Sequence, residues 1–387
     1  MTAGWRSEGK AQFQVAQAFY RSESKVGRDL AMLAATVYRQ QQGHLRVLDA
    51  MTGCGVRPLR YQQEAGADWV WANEANPEVQ PILRENLARG MAPGTYRITQ
   101  EDANRVFFRC YQQQDFYDLV DIDGFGSPMP FLSTGLWAVK FGGLLYLTST
   151  DGRTTGGHAP DKSVQVYGAC ARSHPAVHEQ GLRLLIGAVV QQAAAKGMQG
   201  QPVFSWFNGR IHRVMVRLSH RGPWQAEHFG FLGYCHGCGQ FQSASWRQLG
   251  ALRCACEGLT PPARLVVSGP MWLGPLHDAA DLQAMAAVAA DWGWQDCERL
   301  LATMLEEAGM PPYYYPLAEI GRRGRMDIPP RDRLIQAICD RTDGAIWASG
   351  PSYRASRTHL AAQALKTDAP LSVCLEIARK LNALSRP

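Results

Sequence analysis

Short apolar runs alternate with helix-patterned stretches from residue 45 to about residue 218. The runs at 45–50, 69–73, 96–99, 117–122 and 144–148 are strand-length and end in polar or turn-forming residues. Between them, segments such as 77–88, 131–139 and 178–196 carry apolar positions at helical spacing. Strands separated by helices need crossover connections, so the pattern predicts an α/β fold with a doubly wound, largely parallel sheet. Runs at 203–207 and 212–218 flank Asn208 and Gly209 and predict a closing antiparallel pair. Near 219–223 the pattern changes. A cysteine cluster follows, then a turn-rich stretch from Ser268 to Leu276, then helical periodicity at 278–291, 295–308, 331–341 and 371–384. The expected division is a first domain of residues 1–219 and a smaller α+β domain of residues 220–387.

At 387 residues the chain is long enough for two cores. No apolar run approaches the roughly 18 residues of a membrane span, and the first residues carry no apolar leader. A cytoplasmic protein without a membrane partner is expected, and nothing in the sequence calls for an obligate protein partner. Net charge is only +6, but 33 of the 40 basic residues are arginine. Guanidinium groups fork onto phosphates and stack on bases, which ammonium groups do not. Arginine-favouring codon usage accounts for the same excess equally well.

Asp49 ends the first strand, and Gly53 and Gly55 follow in an Asp-x-x-x-Gly-x-Gly turn. A dinucleotide fingerprint would need a third glycine where Pro58 stands. The looser turn suits S-adenosylmethionine, which has no pyrophosphate to seat on a helix N-terminus. Glu74 ends the second strand, placed to accept from ribose hydroxyls. Asp102 and Ala103 follow the third, placed for an adenine amine. Arg57 opens the helix after the loop, either as an exposed helical arginine or as a partner for the cofactor's carboxylate.

The fourth strand closes on Asp121 and Asp123, followed by Gly124, Phe125, Gly126, Ser127 and Pro128. An exocyclic ring amine is a poor nucleophile because its lone pair is delocalised. Asp123 can accept its N–H bonds, aim the nitrogen and take the proton, while Phe125 supplies a stacking face. Asp121 reads as a strand-end carboxylate bound to local backbone. These elements together predict a methyltransferase acting on a nucleobase amine.

Ten cysteines in a chain of this type argue against a disulfide framework. Cys235 and Cys238, then Cys254 and Cys256, form a Cys-x2-Cys and Cys-x-Cys pair fifteen residues apart. This reads as a four-thiolate structural zinc site, closed because four protein ligands leave no open position. Farther on, the run 311–316 with Tyr313, Tyr314 and Tyr315 precedes Arg322, Arg323 and Arg325. It reads either as an RNA-contacting surface or as a solvated basic loop.

Landmarks from end to end resemble the tRNA (guanine-26, N2) dimethyltransferase family. They include Phe19-Tyr20, Arg28-Asp-Leu30, Asp49 through Arg60, Asn73-Glu74, Glu101-Asp-Ala-Asn104 and Asp123-Gly-Phe-Gly-Ser-Pro128. They continue with His178 to Arg183, Gly269 to Leu276, Ser356-Arg-Thr-His359 and Lys366 to Pro370. The resemblance implies transfer of one or two methyls from S-adenosylmethionine to N2 of a tRNA guanine. It implies cofactor contacts at Arg28, Arg57, Glu74, Asp102 and Ala103, and a base grip at Asp123 and Phe125. It also implies a zinc-containing second domain that recognises tRNA. Gly124 stands where the family usually has proline, and Glu74 where it usually has aspartate. A methyltransferase for another base amine, such as adenine N6, and a tRNA binder with a decayed site are the alternatives.

Overall fold

The computed structural model describes residues 4–220, 225–254, 256, 265–340 and 352–384. The pattern change at 219–223 and the end of the segment at 331–341 lie partly outside the described residues.

A hairpin the hydrophobic pattern did not reveal comes first, β1 (Arg6–Glu8) against β2 (Ala11–Phe13), followed by helix α1 (Lys25–Gln42). The alternating region then runs β3 (Arg46–Asp49), α2 (Val56–Gln63), β4 (Trp69–Asn73), α3 (Gln80–Gly90), β5 (Tyr96–Thr99) and α4 (Ala103–Gln113). It continues with β6 (Tyr117–Ile122), α5 (Met129–Gly135), β7 (Val139–Ser149), the short helices α6 (Gly152–Thr155) and α7 (Pro160–Tyr167), and α8 (Val177–Ala194). The hairpin β8 (Gln199–Phe207) and β9 (His212–Ser219) closes the sheet. The helix expected at 131–139 stops at Gly135, because Val139 pairs with Tyr117 and starts β7.

The seven strands lie in the order β5-β4-β3-β6-β7-β9-β8, the first five parallel and the last two antiparallel. Winding runs outward from β3 to β5, then restarts on the other side of β3 at β6. The crevice at the carboxyl ends of β3 and β6 is therefore the topological switch point, where open α/β sheets bind ligands. Asp49 and Asp121 are register partners there.

Apolar faces of α4, α5 and α8 cover one side of the sheet, and α1, α2 and α3 cover the other. After β9 come β10 (Phe229–Cys235), β11 (Phe241–Ala244) and β12 (Leu265–Trp272), a three-stranded antiparallel sheet. The stretch expected as turns from Ser268 is thus strand as far as Trp272. Helices α9 (Ala279–Asp291) and α10 (Gln295–Glu307) share the core of α1 through Leu282, Met285, Leu301 and Met304. Strand β13 (Tyr315–Pro316), helices α11 (Leu317–Gly324) and α12 (Arg331–Cys339), strands β14 (Ala355–Ser356) and β15 (Ala364–Thr367) and helix α13 (Leu371–Leu384) complete the chain. Tyr314 and Tyr315 are buried, and Tyr313 stacks on Phe241 at 4.6 Å. The tyrosine run is core, not an RNA-stacking surface. No helix among the described residues is long and apolar enough to cross a membrane.

Candidate active site

Gly53 and Gly55 adopt φ of +57° and +86°, which turns the chain sharply from β3 into α2. A side chain at Gly55 would strike Leu83 and Leu87, whereas Gly53 has nothing closer than the Phe19 carbonyl at 3.8 Å. Gly55 is thus required by packing, whereas a side chain at Gly53 would meet only the Phe19 carbonyl at ordinary contact distance. Asn73, almost fully buried, stitches three strand ends together. Its amide donates to the carbonyls of Ala50 at 3.0 Å and Glu101 at 2.9 Å, and its Oδ1 accepts from Thr99 Oγ1 at 2.7 Å. Glu74 is half-buried beside it. Its Oε2 accepts from the Gly53 N–H and its Oε1 from the Asn76 N–H, both at 2.9 Å. Asp102 caps α4 by accepting from the Asn104 N–H at 2.9 Å and is exposed, with Ala103 buried behind it. Of the three acids expected at successive strand ends, Glu74 and Asp102 reach the surface, whereas Asp49 is fully buried and bound by Thr52 and Arg57.

Arg57 is buried and not the exposed helical arginine that sequence left open. Its Nε and Nη2 donate to Asp49 at 3.0 and 2.8 Å, and its Nη1 donates to Asp123. A second guanidinium, Arg213 from β9, donates through Nη2 to Asp123 Oδ2 at 3.0 Å. Sequence reasoning missed Arg213, because only the antiparallel pairing of β9 with β7 brings it to the switch point. Burial alone would raise Asp123's affinity for a proton, but Arg213 and Arg57 overcome that and hold its carboxyl well below the usual range.

Asp121 behaves oppositely. Its Oδ2 accepts from the Tyr61 hydroxyl at 2.8 Å and lies 3.4 Å from Arg57 Nε, while Oδ1 has no partner. Desolvation drives its carboxyl upward, only partly opposed by Arg57. It is therefore not bound through its side chain to local backbone. Two carboxylates two residues apart are pushed in opposite directions, Asp121 upward by burial and Asp123, at the opening, downward by its two arginines.

Phe125 is 73% exposed and meets Phe19 edge-on at 4.7 Å. Gly126, at φ +75°, exchanges hydrogen bonds with Thr150, which fixes the loop beside Asp123. A Cβ at Gly124 would approach Met51 Sδ to 2.8 Å, so the glycine suits the packing of this chain. Arg28 is buried on α1 with Nε on Glu8 Oε1 at 2.7 Å and Nη2 on Glu8 Oε2 and the Arg21 carbonyl. Its Nη1 makes no hydrogen bond among the described residues.

The four cysteine sulfurs at the tip of β10 lie within 4.8 Å of one another. A tetrahedral zinc–thiolate centre needs sulfurs about 3.8 Å apart, so the set fits. Arg323 braces the first pair from behind, donating to the carbonyl of Gly237 at 2.6 Å and of His236 at 3.1 Å. It is thereby removed from the role of a free surface arginine. A second buried group comprises His277, Glu307 and His359. The Ser205 N–H donates to His277 Nδ1 at 3.2 Å, so Nε2 carries the proton and faces Glu307 at 3.7 Å. A protonated ring nitrogen offers no lone pair to a metal. This group is a carboxylate held between two imidazoles.

The family model described as N2,N2-dimethylguanosine tRNA methyltransferase matches residues 5–379. The chain is 30% identical to tRNA (guanine(26)-N(2))-dimethyltransferase of Aeropyrum pernix, across 95% of this chain and 90% of that protein. It is 29% identical to the protein of the same name from Archaeoglobus fulgidus, across 96% and 97%. Among solved structures, the complex of Trm1 from Pyrococcus horikoshii with S-adenosyl-L-methionine superposes with a TM-score of 0.80. Identity is 26%, and the match covers 96% of this chain and 99% of that one.

Proposed function

The chain belongs to the N2,N2-dimethylguanosine tRNA methyltransferase family, and from that premise we propose how its own residues methylate N2 of guanine 26 in tRNA. The observation that carries the reading is Asp123. It is an ionised carboxylate at the switch point, held by two arginines and partly open to solvent, beside the exposed ring of Phe125.

S-adenosylmethionine, when bound, supplies an electrophilic methyl on a sulfonium. The cradle fits it because a side chain at Gly53 would meet only the Phe19 carbonyl, at 3.8 Å, and Glu74 and Asp102 stand on the rim beyond. Glu74 keeps lone pairs for ribose hydroxyls. Asp102 has one oxygen on its cap bond and one for an adenine amine, with the Ala103 backbone alongside. Arg28 offers its free Nη1 to a carboxylate. Arg57, whose three nitrogens are committed, adds positive potential and holds Asp123.

Phe125 stacks on the guanine, which leaves its helix to reach the site. Asp123 accepts from the N2 amine and aims its lone pair at the methyl. Because two arginines depress its pKa, Asp123 orients the amine strongly but is a weak base; it receives the proton only once the nitrogen has become a cationic, acidic centre.

Zinc on Cys235, Cys238, Cys254 and Cys256 is the structural element of a tRNA-recognition unit spanning residues 220–387, following a catalytic unit of residues 1–219. The sheet that carries the cysteines supports that division, while α9 and α10 anchor the unit on α1. The protein works in the cytoplasm.

Incubation with unmodified tRNA and labelled S-adenosylmethionine, followed by nucleoside analysis, tests the reading. N2-methylated guanosine that disappears from a G26-to-A transcript is the expected product. Label in an adenine amine would support the rival base, and none at all the decayed binder.

A further inference from the structure

A second cavity of about 470 Å³ lies beside the base-gripping loop, and none of the roles above uses it. It is joined to that loop through Thr150, which lines the cavity and hydrogen-bonds Gly126. Arg21, Arg153 and Arg210 stand around it. The guanidiniums of Arg153 and Arg210 have no ion pair or hydrogen bond among the described residues. That of Arg21 rests 4.9 Å from the ring centre of Phe19, the ring that meets Phe125. No carboxylate occurs among the lining residues.

The placement is built. Arg210 sits at the tip of the β8–β9 hairpin, where Asn208 Oδ1 accepts from the Ile211 N–H at 2.9 Å and Gly209 takes φ +88°. Arg153 is set by a capped turn in which Asp151 accepts from the Thr154 N–H at 3.4 Å. Behind them lies His212, only 3% exposed, with neither ring nitrogen partnered. Burial holds its pKa down to about 3, so it is a neutral ring that adds bulk but no charge to the back wall. His178 stacks on Phe207 at 4.3 Å and completes the wall.

Two unneutralised guanidiniums and a third beside them, lining a concave site with no carboxylate among its lining residues, suit an oxyanion of phosphate charge. Resting on the function proposed above, we propose that this cavity seats an RNA backbone phosphate adjoining the target guanosine. The phosphate would hold the strand in register while the base lies between Phe125 and Asp123. Phosphate contacts fix register without reading sequence, so the site would position the target and leave the choice of base to the Asp123 side.

The test uses the full-length protein and the paired substitution Arg153→Ala with Arg210→Ala, both on exposed residues, so folding is retained. KM for tRNA should rise about tenfold at physiological salt while kcat and S-adenosylmethionine affinity hold. The log–log salt dependence of tRNA binding should flatten by roughly 0.7 to 0.9 for each phosphate that the variant no longer neutralises. Transcripts with one neutral methylphosphonate at each linkage flanking position 26 identify the ligand. One linkage should weaken the wild type as the double substitution does, and cost the double variant nothing further. An unchanged KM and slope would overturn the proposal. So would a loss of S-adenosylmethionine affinity, which would give the cavity to the cofactor's carboxylate, or a sensitivity to inorganic phosphate with no sensitive linkage. Failure of the functional reading is separate, because the wild type would then leave tRNA unmethylated.

Discussion

Arg213 on β9 and Asp123 at the end of β6 are joined by a hydrogen bond of 3.0 Å, with the arginine side chain 2% exposed and the aspartate 16%. The bond ties the antiparallel part of the sheet to the switch point. Arg213 in turn packs under α1, where a side chain at Gly27 would strike it at 2.7 Å. The orientation of the Asp123 carboxylate thus depends on elements remote from it in sequence.

Replacing Arg213 by alanine should lower methyl transfer by about tenfold or more, a loss of the size expected when a positioned acid–base group is misplaced. Because Arg213 depresses the Asp123 pKa, its removal should raise that pKa and shift the acid limb of kcat/KM to higher pH. Lysine in its place should restore part of the charge effect and less of the geometry. A loss of activity with an unmoved acid limb would mean that Arg213 acts only as a structural residue.

Glu8 provides a second check. Burial would raise its pKa, but Arg28 and Arg60 outweigh burial and hold it at about 2. A depressed carboxylate contributes stability that is complete above its unfolded pKa of about 4.3 and is lost as pH falls toward the folded value. Melting temperature should therefore fall between about pH 4 and about pH 2. Glu8→Gln should be less stable at neutral pH and show a shallower fall through that window. Parallel curves for the two proteins would contradict this assignment.

Arg322 and Arg323 should behave differently although they are neighbours. Arg322 is 65% exposed and pairs with Glu319 on the surface, so alanine there should leave the melting temperature essentially unchanged. Arg323 braces the cysteine knuckle through Gly237 and His236, so alanine there should loosen it. Zinc release to a chromogenic chelator, followed for each variant, should accelerate only for Arg323→Ala.

The cysteine set itself should carry about one zinc per chain by elemental analysis. Stripping the metal, or Cys254→Ser, should weaken tRNA binding through local unfolding and leave cofactor affinity largely intact. Metal-free protein with normal stability and tRNA affinity would remove zinc from the account.

Several strands of the sheet are legible in the sequence because each short apolar run ends in a polar motif; 69–73, 96–99 and 117–122 are strands with those bounds. Glu74 and Asp102 are legible for the same reason, since strand ends converge on one edge of a parallel sheet. Partners set by long-range pairing are hidden. Arg213, the Tyr61–Asp121 bond and the Glu8–Arg28–Arg60 group each join segments that no local pattern relates. Tyr313, Tyr314 and Tyr315 mislead because an aromatic run looks alike in a core and on a surface until its neighbours are known. Phe241 stacking on Tyr313 decides it. The β1–β2 hairpin is invisible to periodicity because strands of three residues are too short for an alternation signal.

The most direct measurement is single-turnover methylation of unmodified tRNA by Asp123→Ala, with S-adenosylmethionine affinity measured by calorimetry on the same preparation. Asp123 stands at the opening beside Phe125, held by Arg57 and Arg213, and makes no hydrogen bond to Glu74 or Asp102 among the described residues. Methyl transfer should therefore fall at least about 10²-fold while cofactor affinity stays within a few-fold of wild type. Near-normal turnover, or a collapse of cofactor affinity with the rate preserved at saturation, would contradict the account.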